Sequence, residues 1–263
     1  GGGGGGGGNG PIARSSAEPN VMPISNLNPY QNRWAIKGRV TKKGDKRNYS
    51  NQRGDGVLFS FSLCDADGDI RVTAFNDVAN RLYEQIAPNA IVVLRNGQIK
   101  EANPKFNTCS SRYEITANNQ TEVQVLAADA DTSIPADLYH LVPIAMLESI
   151  AEESKADVMG VLVHVGEAAH FTSRAGKELT KREVRLADDS SCAIDATMWG
   201  EPAAAFNGQV GDVLVLKQAR LTSWNGRSLN AGFDGDMRLH PEHERTAQLR
   251  NWYNQGGAAA VRS

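Results

Sequence analysis

Apolar and polar positions alternate with a period of two along most of this chain, in short runs separated by turn residues, which is the signature of half-buried β-strands. Residues 34–41, 56–64 and 70–75 read as strands, with a polar loop at 42–55 and a turn at DADGD, 65–69. A short helix is expected over 77–86, then a strand over 90–100 and a last strand pair around Phe106 and 113–116. The order then repeats. Strands are expected at 157–165, 178–187 and 193–199, with a loop carrying HFTSRAGK and a turn at DDSS between them. A short helix over 201–206 and strands at 212–220 and 227–231 follow, and PEHERTAQLRNWYNQ reads as a terminal helix with proline near its start.

The repeat is clearest at IRVTAFND and IDATMWGE, where Phe75 and Trp199 close strands of the same cadence. Their separation of roughly 120 residues is too long for a solenoid and fits a duplicated domain. Five strands with one helix after the third is the plan of the OB-fold. The expected fold is therefore all-β with short helices: two tandem OB-fold, five-stranded Greek-key barrels. The first would span 23–126 and the second, with its C-terminal helix, 140–255. Residues 127–139, small, acidic and interrupted by proline, read as a flexible linker. The Gly-rich stretch 1–22 reads as a flexible tail, because glycine has nothing to bury and much backbone freedom to lose, and 256–263 reads as a second tail.

Composition narrows the function classes. A length of 263 residues, 40% hydrophobic and 22% charged, suits two soluble domains. No apolar run approaches the ~18–20 residues of a membrane span, and no secretory pattern is seen. Cys64, Cys109 and Cys192 lack CxxC spacing, and the five histidines form no ligand spacing with them, so neither a disulfide framework nor a metal site is expected. No P-loop, GxSxG or catalytic-lysine motif is present, and no stretch is left over for the catalytic domain of a ligase or aminoacyl-tRNA synthetase; the chain reads as non-enzymatic. Net charge is −2, yet residues 33–53 carry eight cations against Asp45 alone. A local basic footprint survives a neutral total.

An OB groove that holds single-stranded nucleic acid needs cations for the backbone and flat faces for the bases. The first unit offers Phe75 and Phe106, with Lys46, Arg47, Arg53, Arg71, Lys100 and Lys105 around them. The second offers Trp199 and Trp224, with Arg174, Lys177, Lys181, Arg220 and Arg227. Arg71, Thr73 and Phe75 are spaced by two, so a strand sends all three to one face. A barrel-end plug is an equal reading of Phe75 and Trp199. The polar surroundings of Phe106 and Trp224 favour function, whereas Trp34 and Trp252 are assigned to packing. Binding of RNA, or of acidic peptides in a protein-interaction scaffold, would use the same grooves.

PISNLNPYQNRWAIKGRV, RNYSNQRGDG, LFSFSLCDADGDIRVTAFND, ATMWGE, NGRSL and LRNWYN, in this order, resemble the large subunit of replication protein A, the eukaryotic single-stranded-DNA-binding protein. The resemblance covers its two central DNA-binding domains. It implies a nuclear heterotrimer in DNA replication, repair, recombination and, in some organisms, telomere maintenance. By motif it carries over Arg47, Ser50, Asn51, Arg53, Arg71, Phe75, Lys100, Phe106 and Glu114 in the first domain as DNA contacts. In the second it carries over Lys177, Lys181, Trp199, Arg220, Trp224 and Arg227. Tyr49 stands where the family often has tryptophan, Trp224 where phenylalanine is common, and His164 where lysine is frequent. The family's zinc-containing third domain, which mediates assembly, has no counterpart, so the chain is expected to be a fragment without a cofactor. Its expected partners are single-stranded DNA and replication and repair proteins, with the two smaller subunits joining the full-length protein through other parts.

Overall fold

In the computed structural model, which describes residues 20–52, 54–173, 176–223, 226–232 and 236–261, the alternating runs curl into two β-units. The first contains β1 (Ala35–Lys43), β2 (Arg47–Asn51), β3 (Gly54–Cys64), β4 (Asp69–Phe75), α1 (Asn76–Gln85), β5 (Ile91–Arg95), β6 (Gln98–Glu101), β7 (Tyr113–Thr116) and β8 (Glu122–Leu126). The second contains β9 (Lys155–Val165), β10 (Ala169–Thr172), β11 (Glu178–Ala187), β12 (Ala193–Trp199), α2 (Glu201–Ala205), β13 (Val213–Thr222), β14 (Ser228–Gly232), β15 (Asp236–Leu239) and α3 (Glu244–Asn254). Both units are OB-folds. In the second, β9 pairs with β11 and β13, which closes the ring β9–β11–β12–β14–β13. In the first, the sheet runs β6–β7–β4–β3–β1–β5–β8, and its seam lies between β5 and β6, which are consecutive in the chain.

That seam corrects the single strand expected over 90–100. Asn96 (φ 61°) and Gly97 (φ 117°) take left-handed backbone, so the run bends and lays β5 on β1 and β6 on β7. The loop expected over 42–55 is also partly a strand: β2 folds back on β3 with Arg47 opposite Leu58 and Asn51 opposite Gly54. In the second unit β10 pairs with β11 in the same way. Phe106 sits in a turn rather than a strand, its N–H bonded to the Asn103 carbonyl at 3.0 Å. β8 and β15 have no counterpart in the alternation pattern; each is four or five residues, a run too short to show a period.

Inside each unit the inward positions make the core. Phe59, Phe61 and Leu63 of β3 meet Ile70, Val72 and Ala74 of β4, with Trp34, Ile36 and Leu82 of α1 sealing one end. Burying each of the large side chains removes about 1.5–3 kcal/mol of unfavourable apolar exposure. β9 and β13 are buried on both faces, because Leu249 and Trp252 of α3 pack outside the barrel on Met159, Val161, Val213 and Val215. Their unbroken apolar runs, VMGVLV and VLVL, follow from that. The duplication reaches the entry of each domain: Asp65 accepts from the N–H groups of Ile24 and Gly68, and Asp188 from those of Ile144 and Ser190.

Residues 127–139 carry no helix or strand, yet they are bonded to the first domain. Buried Arg39 donates to the carbonyls of Ala128, Ile134 and Pro135 at 2.9–3.2 Å, and to that of Asn89. The planar guanidinium satisfies several carbonyls at once, which a lysine cannot. Beside it Lys217 of β13, 4% exposed, reaches Asp69 of β4 at 2.6 Å and Asp137 at 3.0 Å. Burial works against the Lys217 charge, but the two carboxylates outweigh it and raise its pKa. Asp69 also accepts from the Ser110 N–H and hydroxyl, and Asp137 pairs with Arg238, whose guanidinium also reaches the Thr41 carbonyl. The linker's Pro135 carbonyl covers the Cys64 thiol, whose pKa burial pushes up to about 12.

Replacing Lys217 with methionine leaves two buried carboxylates without their cation, and we expect a loss of about 3–5 kcal/mol in denaturant unfolding. Cys64 should then react with a thiol reagent under native conditions, where the wild-type thiol does not. Unchanged stability and labelling would show that the cluster does not hold the domains together.

Candidate nucleic-acid interface

The outward positions of β3 and β4 form a groove floor. Cross-strand neighbours there are Ser62 with Arg71, Ser60 with Thr73 and Leu58 with Phe75. The Ser60 and Thr73 hydroxyls lie 3.0 Å apart, and Arg71 Nη2 donates to the Ser60 hydroxyl at 3.0 Å. Arg71 Nη1 donates to the Phe106 carbonyl at 2.6 Å, and Arg71 and Lys105 both approach the Phe106 ring. That ring is 46% exposed. Phe75 is half-buried, and Tyr49 of β2 meets it edge to face, centroids 5.8 Å apart at 89°. Two neighbours make the pair possible. Gly56, opposite Tyr49, has no side chain, and a Cβ there would lie 2.5 Å from the Tyr49 hydroxyl. Asn76, left-handed at φ 50°, ends β4 just after Phe75 and accepts from the Val57 N–H.

The second domain repeats the arrangement. Ile194, Ala196 and Met198 point inward, while Asp195, Thr197 and Trp199 take the places of Arg71, Thr73 and Phe75. Trp199 is half-buried, and Phe171 of β10 meets it edge to face at 6.0 Å and 72°. Gly200, with φ 68°, follows Trp199 as Asn76 follows Phe75. The floor's charge has changed strands. Asp195 stands where Arg71 would, and Arg185 of β11 grips it with two bonds of 2.7 and 2.9 Å, holding the Asp195 carboxyl below the usual carboxylate range. Lys181 faces Trp199 across the ladder and pairs with Glu183 at 2.9 Å. Exposed pairs of this kind are worth about 0–1 kcal/mol, so a phosphate can take either cation at little cost.

Of the expected site residues, the structure gathers Tyr49, Ser50, Asn51 and Phe75 at one end of the first groove and Arg47, Arg71 and Phe106 at the other. Lys100 lies on the edge strand β6, paired at 3.2 Å with Glu114, which is buried beneath it. Glu114 thus supports a cation rather than facing the groove. Lys46 turns toward α1, near Asn80 and the Tyr83 ring. In the second domain Lys181 and Trp199 line the cleft, and exposed Lys177 ends the β10–β11 hairpin. Arg220 is exposed and pairs with Glu153 at 3.1 Å. Arg227 turns away, donating to the carbonyls of Leu147 and Ile150. Arg53, Arg174 and Trp224 lie outside the described residues. Phe171 and Arg185 escape a reading of the sequence alone. Phe171 lies in HFTSRAGK, the counterpart of the segment carrying Tyr49, and Arg185 is spaced by four from Lys181 on one strand face; either pattern could flag them.

Comparison with known proteins agrees with this geometry. Residues 34–125 match the family described as OB-fold nucleic acid binding domain, and residues 144–240 match the Replication protein A OB domain. The Replication protein A 70 kDa DNA-binding subunit of Drosophila melanogaster is 38% identical over 241 residues, covering 91% of this chain and 40% of that protein. Its counterpart in Xenopus tropicalis is 35% identical over 242 residues, covering 92% of this chain and 39% of that protein. The chain therefore spans about 40% of the length of these curated relatives. A solved Replication Protein A heterotrimer bound to ssDNA superposes with a TM-score of 0.67 at 37% identity, covering 92% of this chain and 56% of that one.

If the rings are base platforms, Trp199→Ala should cost about 1–3 kcal/mol of affinity for oligo-dT. Phe171→Ala, which removes only the edge partner, should cost about 0.5–1.5 kcal/mol. Trp252→Ala should lower stability and leave affinity near wild type, as read by titration and thermal unfolding; an affinity loss only with Trp252 would reverse the assignment.

Proposed function

Because the chain belongs to the family of the replication protein A 70 kDa DNA-binding subunit, we propose that it is a non-catalytic, sequence-tolerant binder of single-stranded DNA acting in nuclear DNA replication, repair and recombination. The observation that carries this reading is the doubled aromatic pair. Tyr49 with Phe75, and Phe171 with Trp199, each stand at a groove mouth in edge-to-face contact. An edge-to-face partner fixes a ring without covering both of its faces, so a base can stack on what remains. Stacking tolerates any base because every base has a π-face.

The polar groups support the same reading. Arg71, Lys181 and Arg185 stand along the groove floors beside the rings, where backbone phosphates of stacked nucleotides would run. Ser60, Thr73 and Thr197 add hydroxyls that can accept or donate without selecting a base. No pair of groups in this arrangement calls for bond-making chemistry. Two grooves on one chain convert the second encounter into an intramolecular one, so tandem binding should exceed either domain's own affinity. Assembly with smaller subunits we assign to the full-length protein, through parts outside this chain.

Titration of intrinsic tryptophan fluorescence with oligo-dT should show saturable binding, and log affinity should fall with log salt at a slope of ~0.7 per phosphate contact. A flat salt response would remove the cationic track. Equal affinity for oligo-U would extend the substrate class to RNA, because stacking does not read the sugar.

A further inference from the structure

Two sets of polar contacts cross from the second domain to the first. One is the buried Lys217 cluster. The other falls on the loop that carries Phe106. Lys155, the first residue of β9, sends its ammonium across to the carbonyls of Pro104 at 2.5 Å and Asn107 at 2.9 Å. Between these two, the Phe106 carbonyl is taken by Arg71 of the first domain.

The loop is a single tight turn. The N–H groups of Phe106 and Asn107 both reach the Asn103 carbonyl, and the Lys105 N–H reaches the Asn103 side chain. Such a turn closes with its last carbonyls unpaired and aligned, a partial negative charge that attracts cations. Two cations on different domains meet that need, Arg71 from the groove floor and Lys155 from the neighbouring domain. The Phe106 ring is left exposed beside Arg71.

We propose that Lys155 is a positioning residue for the first domain's stacking ring: by holding the Pro104 and Asn107 carbonyls, the second domain sets the Phe106 loop before DNA arrives. The proposal rests on the single-stranded-DNA reading. It gives the tandem arrangement a consequence beyond tethering, since a loop ordered in advance need not be ordered at the moment of binding. Two of the three ammonium donors are used on the loop, so the role differs from a phosphate contact.

The test uses the whole chain with Lys155→Ala, Phe106→Ala and both together. In the DNA-free protein, hydrogen exchange over 104–107 should quicken in Lys155→Ala, a readout that needs no ligand. Affinity for oligo-dT should fall about three- to tenfold, within what one stacked base contributes. In the Phe106→Ala background Lys155→Ala should cost nothing further, and it should leave the salt slope unchanged. A loss that persists without Phe106, with the slope reduced by ~0.7, would make Lys155 a direct phosphate ligand and overturn the proposal. Wild-type affinity and exchange in Lys155→Ala would overturn it as well. If the wild-type chain failed to bind oligo-dT while exchange still quickened, the DNA reading alone would fall and the loop contact would stand as structural.

Discussion

A barrel strand must send its side chains alternately to the core and to the outside, and both grooves of this chain exist because of that constraint. On β4 the sequence Ile70, Arg71, Val72, Thr73, Ala74, Phe75 divides into a fully buried apolar set and a groove set of cation, hydroxyl and ring. A slip of one residue would bury Arg71 and expose Val72. The register is guarded at both ends of the strand. Asp65 closes the turn that feeds β4, and left-handed Asn76 stops it as soon as Phe75 has been placed. A β-branched or bulky residue at that backbone conformation would be strained, and the ring would lose its fixed place at the groove mouth.

The second domain keeps the geometry and exchanges the chemistry. The position of Arg71 is taken by Asp195, and the cation moves to Arg185 on the facing strand. The net effect on the floor is a charged pair in place of a lone guanidinium, so the two grooves present different electrostatics to one backbone. The aromatic pair is kept in both halves, and the charge is not. That agrees with stacking as the shared source of affinity, and with charge as the contribution that differs between domains.

The relation between the domains rests on buried charge. Lys217, Asp69 and Asp137 are almost wholly shielded from water, where an ion pair is sustained only if its geometry is good and its remaining donors and acceptors are bonded. Ser110, Tyr139 and Arg238 supply those bonds. Such a cluster adds specificity of placement more than net stability, because any other alignment would strand a charge in an apolar setting. It also brings β9 beside the Phe106 turn, which is how Lys155 comes to reach a loop forty-eight residues earlier than itself.

Local pattern is enough for the strands whose two faces differ. Runs such as 178–187 and 193–199 have the bounds that alternation and flanking turns imply, and Phe75 and Trp199 are visible as rings that end a strand. The duplication is legible too, since it lies in the order of residues. What only the tertiary structure decided depends on partners distant in the chain. The bend at Asn96 and Gly97 serves two ladders at once, β2 becomes a strand only because β3 is there to pair with it, and Phe171 is a site residue only once Trp199 stands beside it. The linker carries no sequence signal of being held, because its partners are carbonyls, and every residue has one. Side-chain pattern fixes which face of a strand is buried; which charge meets which carbonyl is settled by distances that no single segment contains.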